Sequence, residues 1–232
     1  MNCVILQPSY IPWRGYFDQI RRADVFVFYD DVQYDKNGWR NRNRIKTHQG
    51  LQWLTIPVHT KGVTSEGLAI KDVTIDWRSQ WSRKHWLSLQ QAYAKAPYFG
   101  DYAPLLQEFY QRTDSHLADL TIDLTIALAR RLGINHTRFM RSSSLAVEGA
   151  KTDRLIAILT QLGADSYLSG PAARAYLEEE KFSQAGIKLV YMAYDYPEYP
   201  QLYPPYEPQV SILDLLFMTG TAALNYITGE VD

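Results

Sequence analysis

The sequence predicts an α/β fold: a doubly wound, mainly parallel sheet of about five strands with an inserted antiparallel hairpin and helical segment. Five short and continuously apolar runs are typical of strands that are buried on both faces of a sheet. Segments with apolar residues at helical spacing separate most of these runs, as βαβ crossovers require. Residues 36–135 interrupt the alternation, so we expect an insertion within a single domain of residues 1–232.

The first predicted βαβ unit covers residues 3–29. Its strands are the apolar runs 3–6 and 25–29, and its helix covers residues 13–23, where apolar side chains recur every three or four positions. A right-handed crossover helix is the usual link between two neighbouring parallel strands. These two strands should therefore lie side by side.

The insertion begins with a predicted hairpin. Strand-like runs at residues 39–46 and 51–58 flank Thr47-His48-Gln49-Gly50, a typical hairpin turn. Helical patterns follow at residues 81–96, 103–112 and 116–132.

The last third of the chain returns to strands that alternate with helices. Strands are predicted at residues 137–140, 166–168 and 188–192. Helices are predicted at residues 152–162, 171–180 and 211–219. The C-terminal stretch 191–208 is unusual because it contains six Tyr and five Pro.

Composition excludes several classes of protein. Lys plus Arg number 24 and Asp plus Glu number 25, and this balance argues against a protein that coats DNA. The one cysteine, Cys3, excludes an internal disulfide and a Cys-based zinc site, and it fits a reducing cytoplasm. We expect neither a signal peptide nor a membrane span, since no apolar run approaches the roughly 18–20 residues needed to cross a bilayer. The 6 Trp, 17 Tyr and 8 Phe suggest stacking with a ligand.

The first candidate site follows the first strand. Ligands of open α/β sheets bind outside the carboxyl ends of the strands, and a helix N-terminus favours phosphate. Gln7 is the candidate catalytic residue here, and the candidate binding residues are Ser9, Tyr10, Trp13 and Arg14. The alternative is a proline-shaped turn that only packs aromatic side chains.

The second candidate site is a basic strand. Side chains alternate along a strand, so Arg40, Arg42, Arg44 and Lys46 should share one face. That face is either solvated or meets a polyanion or local carboxylates, and the arginine fork suits phosphate. The candidate binding residues in and before this strand are Tyr34, Lys36, Arg40, Arg42, Asn43, Arg44 and Lys46.

Two shorter candidate sites lie in the last third of the chain. Ser169 and Gly170 end a predicted strand before Pro171, and if that strand lies beside the first, Ser169 and Gln7 face one crevice. A simple helix cap is the alternative for Ser169. Lys151 is a candidate catalytic residue and Arg154 a candidate binding residue at the start of a helix, where capping and surface charge are the alternatives.

Adjacent carboxylates follow the second strand. Asp30 and Asp31 are candidate catalytic residues, as a general base or a magnesium pair. The five His residues lack the spacing of metal ligands, so we predict no metal site, and no motif identifies a cofactor.

Several stretches together resemble the WbqC-like family over nearly the whole chain. They are Gln7-Pro8-Ser9-Tyr10-Ile11-Pro12-Trp13-Arg14-Gly15-Tyr16-Phe17, Ala23-Asp24-Val25-Phe26, Asp31-Val32-Gln33-Tyr34, Asn41-Arg42-Asn43-Arg44-Ile45-Lys46, Tyr167-Leu168-Ser169-Gly170 and Ser211-Ile212-Leu213-Asp214-Leu215-Leu216-Phe217. The resemblance implies a place in bacterial surface-polysaccharide biosynthesis, including that of O-antigen, or in related sugar biosynthesis. It implies no defined reaction.

A fainter likeness is to the nucleotide-binding fold of nucleotidyltransferases and class I tRNA synthetases, which carry His-x-Gly-His where the first helix begins. Here Trp13-Arg14-Gly15-Tyr16 keeps the glycine but replaces both histidines. Because those imidazoles stabilise charge at the α-phosphate, the departure favours nucleotide binding with different chemistry.

Together these observations predict a cytoplasmic transferase that acts on a nucleotide-activated sugar, in particular an amino sugar, or on another phosphate-bearing small molecule. The alternatives are an ATP-dependent adenylating or nucleotidyltransferase-like enzyme, an aminoacyl-tRNA-dependent transferase, and a non-catalytic nucleotide-binding scaffold protein.

Overall fold

The computed structural model describes residues 1–59 and 67–230. Its strands are β1 (Asn2–Leu6), β2 (Val25–Phe28), β3 (Arg42–Thr47), β4 (Gly50–Thr55), β5 (Arg138–Arg141), β6 (Ser166–Ser169) and β7 (Lys188–Tyr191). Its α-helices are α1 (Arg14–Arg22), α2 (Trp81–Tyr93), α3 (Phe99–Gln111), α4 (Leu117–Arg131), α5 (Lys151–Leu162), α6 (Glu179–Gln184), α7 (Ile212–Thr219) and α8 (Asn225–Thr228).

The main sheet has five strands in the order β5-β2-β1-β6-β7. Every neighbouring pair within it is parallel. This confirms the predicted α/β class and the mainly parallel sheet of about five strands. The chain leaves β1 for β2 and β5 on one side and returns on the other side at β6, so the strand order reverses between β1 and β6. This reversal is the switch point at which such sheets bind ligands.

Helices cover both faces of the main sheet. Alternate residues of β1 point to opposite faces: Val4 packs into one core with Phe17 of α1, and Cys3 packs into the other with Ile158 of α5. The first face is covered by α1 and the second by α5 and α6, as a doubly wound fold requires.

The chain between β2 and β5 forms the predicted hairpin and helices. Strands β3 and β4 pair antiparallel, and the turn residues Thr47 and Gly50 are partners in the register. Ile45 of β3 and Leu89 of α2 belong to the same core as Val4, so this segment packs onto the first face of the sheet. Residues 60–66 of the predicted insertion and the last two residues of the predicted domain lie outside the described residues.

Several element boundaries differ from the sequence prediction, among them the start of α3, which lies at Phe99 rather than at residue 103. The helix expected over residues 171–180 is a 3₁₀ turn (Pro171–Ala175) followed by α6, and the chain between them is held away from a continuous helix by contacts with α5. There Leu177 is buried and the Glu178 N–H donates to Thr152 Oγ1 at 3.3 Å. The basic strand starts at Arg42, so Arg40 belongs to the preceding turn.

Candidate functional site

A cleft of about 1130 Å³ opens at the carboxyl edge of the main sheet. Residues that follow β1 and β2, the first turns of α1 and α5, and the loop after β6 line it. The cleft therefore lies at the switch point. The sequence-predicted site residues in its lining are Gln7, Ser9, Trp13, Arg40, Asn43 and Lys151.

The charge in the cleft is positive. Among the described residues that line it, Arg40 and Lys151 are the charged ones, and neither Asp nor Glu is present. Two cations in a lining that contains no carboxylate make a field that attracts an anionic ligand.

Arg40 is a desolvated and incompletely paired cation. Its Nη1 donates to Gln7 Oε1 at 2.5 Å, and its buried Nε has no hydrogen-bond partner. The Asp35 carboxylate lies 3.9 Å from Nε and is mostly exposed. Burial lowers the pKa of Arg40, and the Asp35 charge opposes that shift. Because an unpaired buried donor is costly, a bound anion would supply the partner that Arg40 lacks.

Lys151 is an exposed residue that begins α5 and lines the cleft. Its φ of +50° lies in the left-handed region. That conformation costs a non-glycine residue about 1–3 kcal/mol, and such strain is often found at functional sites.

The loop between β1 and α1 is held by Asn43. Ile11 in this loop has a φ of +36°. The Asn43 side-chain amide donates to the carbonyl oxygens of Tyr10 at 3.2 Å and Ile11 at 2.8 Å. The Tyr10 N–H donates to the Trp39 carbonyl at 3.1 Å. These bonds fix the loop that carries Ser9 to the cleft.

Aromatic side chains form much of the cleft wall. They are Trp13, Tyr16, Tyr29, Trp39, Tyr167, Tyr176 and Tyr194. The Trp13 ring lies over the start of α1, where a Cβ on Gly15 would come within 2.3 Å of it. Its edge-to-face partner is Tyr194, with ring centroids 4.9 Å apart. Glycine at position 15 therefore allows Trp13 to cover the helix N-terminus, and the wall suits a planar or sugar ring.

Sequence reasoning missed a polar pair in this wall. Gln19 is only 3% exposed, and its Nε2 donates to Tyr194 Oη at 2.9 Å. Its Oε1 is buried and has no partner, which costs about 1–3 kcal/mol. The tyrosine-rich stretch 191–208 was visible in the sequence, but nothing there connected it to α1.

Two tyrosines predicted to bind a ligand are buried in the core instead. Tyr10 is 0% and Tyr34 is 2% exposed, and both lie in the core rather than in the cleft lining. The Tyr10 hydroxyl bonds to His85 Nδ1 at 2.9 Å and to the Tyr110 hydroxyl at 2.6 Å. Helices α2 and α3 supply these partners.

Arg14 is also outside the cleft lining. Its Nη1 donates to the Pro197 carbonyl at 2.7 Å and its Nη2 to the Tyr206 hydroxyl at 2.8 Å. The guanidinium lies over the Tyr196 and Tyr199 rings, with centroids at 4.9 Å and 5.4 Å. Arg14 thus binds the tyrosine-rich C-terminal segment to α1.

The other cations of the basic strand also have partners inside the protein. Arg42 lies 4.6 Å from the centre of the Trp53 ring. Arg44 donates to the Gln209 carbonyl at 2.9 Å. Lys46 is buried, and its Nζ donates to Gln201 Oε1 at 2.9 Å and to the Pro205 carbonyl. None of the three lines the cleft, and exposed Lys36 is outside the lining as well.

The Asp30–Asp31 pair accepts bonds from nearby side chains. Asp30 is fully buried and accepts from Ser142 Oγ at 3.2 Å and from the N–H and Oγ of Ser143 at 3.0 Å and 2.9 Å. Asp31 accepts from Arg154 Nη2 at 2.5 Å. This network ties the end of β2 to α5, and none of these predicted site residues lines the cleft.

Ser169 and Gly170 lie at the end of β6. Ser169 is buried and, like Gly170, is outside the cleft lining, although Gln7 is within it. A Cβ on Gly170 would lie 3.2 Å from Tyr194 Oη, so glycine allows that hydroxyl to approach the strand end closely. The adjacency of β1 and β6 that placed Ser169 and Gln7 near one crevice is confirmed.

Within residues 1–59 and 67–230, the structure groups no three His, Cys, Asp or Glu side chains in a way that could hold a metal ion. Over the same residues, no helix has the length and apolar character needed to cross a membrane.

Comparison with known proteins identifies relatives but no activity. The model of the WbqC-like protein family matches residues 7–226. The chain is 43% identical over 225 residues to the Mycobacterium tuberculosis protein named Uncharacterized protein Rv1507c, with 96% of each chain covered. No solved structure matches significantly. The family match spans almost all of the sequence, and the chain belongs to the WbqC-like protein family.

Proposed function

We propose that this protein is a cytoplasmic transferase that acts on a nucleotide-activated sugar, in particular an amino sugar, in the biosynthesis of a bacterial surface polysaccharide such as O-antigen. The cleft at the switch point is the proposed active site.

One observation carries the proposal: the cleft combines two cations, no lining carboxylate and a wall of aromatic rings. A nucleotide sugar has the matching chemistry, since it joins a dianionic diphosphate to a flat base and a sugar. Its phosphates would bind Arg40, whose buried Nε lacks a hydrogen-bond partner, and Lys151, which lines the same cleft. Its rings would pack on Trp13 and the neighbouring tyrosines.

Gln7 is the proposed group for orienting the reacting part of the substrate. It directly follows β1, lines the cleft and accepts a hydrogen bond from Arg40 at 2.5 Å. This bond places an amide beside the phosphate-binding cation. Lys151 would stabilise the negative charge that develops on the leaving nucleotide during transfer.

Isothermal titration calorimetry tests the binding step. Uridine and thymidine diphosphate sugars, with and without an acylamino group, are titrated beside ATP and uncharged free sugars. Binding of at least one nucleotide sugar, and weaker binding at raised ionic strength, is the expected result. Binding of ATP alone would favour an adenylating enzyme, and no binding to the whole panel would overturn the proposal.

Turnover is tested separately with a nucleotide sugar that binds. Release of free nucleotide in the presence of candidate acceptors indicates transfer, and a Lys151→Met variant should lower that rate more than it lowers affinity. A protein that binds tightly and shows no turnover with any acceptor would instead be a scaffold.

A further inference from the structure

The cleft contains a polar pair that the proposed phosphate contacts leave unused. Gln19 on α1 has a buried side-chain amide. Its Oε1 has no hydrogen-bond partner, and its Nε2 donates to Tyr194 Oη at 2.9 Å. Both side chains line the cleft. Since Tyr194 Oη accepts from Gln19, its own O–H remains available as a donor.

The pair spans the place where the strand order reverses. Gln19 belongs to the helix that packs on β1, while Tyr194 Oη lies close to the end of β6, 3.2 Å from where a Cβ on Gly170 would be. The two side chains therefore place an acceptor and a donor next to each other in the cleft wall. Burial raises the pKa of Tyr194 to about 12, which keeps the phenol protonated as a donor at neutral pH.

The bound group must match both partners. A carboxylate or phosphate would meet the Gln19 oxygen with another acceptor, and an aliphatic group would leave that oxygen unpaired. A group with an N–H beside a carbonyl oxygen satisfies both at once, with the N–H toward Gln19 and the carbonyl toward Tyr194. Trp13, whose ring centroid is 4.9 Å from that of Tyr194, adds an apolar face against which a flat group can pack.

We infer that Gln19 and Tyr194 form an amide-recognition subsite, which binds an N–H donor beside a carbonyl oxygen on the ligand. Two parts of an acylated amino-sugar nucleotide offer such groups. The edge of a uracil-type base presents an N–H and a carbonyl side by side and can meet both partners, whereas the trans acylamino group of the sugar presents them in opposite directions and meets Gln19 through its N–H. The inference rests on the proposed function for its ligand class. It goes further by assigning Gln19 and Tyr194 as the residues that distinguish a ligand with an amide edge from one without it.

The test separates the two sources with three small anions. Uridine 5′-monophosphate has the base edge and no acylamino group, N-acetylglucosamine 1-phosphate has the reverse, and glucose 1-phosphate has neither. Each is titrated into the wild type, Gln19→Met and Tyr194→Phe. Gln91→Met, a change at an exposed glutamine of α2, is the matched control.

Gln19→Met should weaken binding of one of the two amide-bearing anions about tenfold, the loss expected for one hydrogen bond in a buried site. Tyr194→Phe should weaken the same anion, while glucose 1-phosphate and the Gln91→Met control should change by less than about twofold. A loss for the monophosphate assigns the subsite to the base, and a loss for the acetylated sugar assigns it to the acylamino group.

Melting temperatures check that the variants fold. Gln19→Met removes an unsatisfied buried oxygen, so little loss of stability is expected, and Tyr194→Phe keeps the ring beside Trp13. Unchanged affinity of both amide-bearing anions in both variants would overturn the subsite while leaving the proposed function intact. Failure of all three anions to bind the wild type would overturn the proposed function and the subsite with it.

Discussion

Replacing Arg40 with Gln should greatly weaken the binding of a phosphate-bearing ligand. Arg40 is a partly buried cation in the cleft lining, and its buried Nε has no hydrogen-bond partner within the protein. A hydrogen bond to a charged group contributes about 1.5–3 kcal/mol. Loss of one such bond corresponds to a decrease in affinity of about 10- to 150-fold.

The same substitution should change the stability of the free protein much less. It removes the 2.5 Å bond from Arg40 to Gln7, which lowers stability. It also removes a desolvated positive charge whose nearest carboxylate, that of Asp35, is 3.9 Å away, and this raises stability. Because these effects oppose each other, we expect the melting temperature to shift by a few degrees at most. For a chain of this size, a change of 1 kcal/mol in the free energy of unfolding shifts the melting temperature by about 2–4 °C.

Arg42→Gln is the matched control. Arg42 carries the same charge two residues further along the chain, but it lies over Trp53 and does not line the cleft. Calorimetry with a nucleotide sugar and thermal unfolding are run on both variants and the wild type. Affinities that agree within about threefold for wild type and Arg40→Gln would refute the role of Arg40, as would an equal loss in Arg42→Gln.

Three further predictions concern other parts of the structure. Burial lowers the pKa of His85 from 6.5 to about 4, so the unfolded chain takes up a proton first as the pH falls. Urea unfolding should therefore show a loss of stability between pH 6.5 and 4, of up to about 3 kcal/mol, which His85→Gln should reduce. Gly15→Ala would place a Cβ 2.3 Å from the Trp13 ring, so it should displace that ring and change both tryptophan fluorescence and ligand affinity. Burial raises the pKa of Cys3 to about 12, so a thiol reagent at pH 8 should react with it only as the chain unfolds, and rapid reaction in the native state would contradict this.

The sheet and the position of the cleft followed from local patterns. Continuous apolar runs such as residues 25–28 are buried on both faces, and this property alone distinguishes parallel strands from the alternating pattern of a hairpin. The switch-point rule then located the site at the end of β1, where Gln7 and Trp13 line the cleft.

Long-range partners could not be predicted in the same way. In the sequence, Tyr10 and Gln19 both lie within 15 residues of Gln7, which lines the cleft. Of the two, only Gln19 lines the cleft as well. The Tyr10 hydroxyl is bound by helices that begin about 70 residues later, and the Gln19 partner Tyr194 is 175 positions away. Whether a tyrosine lies in the core or in the cleft wall depends on hydrogen-bond partners that are distant in the sequence. The periodicity of apolar residues does not predict which residues those partners are.

The basic strand shows why equal charges need separate tests. Alternation correctly placed Arg42, Arg44 and Lys46 on one face of β3, since their partners in the register are alternate residues of β4. Each nevertheless contacts uncharged groups of the protein, so the shared face is neither a continuous solvated surface nor a continuous anion site. Arg40 precedes the strand, donates to Gln7 at 2.5 Å, lies 3.9 Å from the Asp35 carboxylate and lines the cleft. A phosphate role must therefore be tested at Arg40 alone, because a multiple substitution along the strand would combine a loss of binding with a loss of packing.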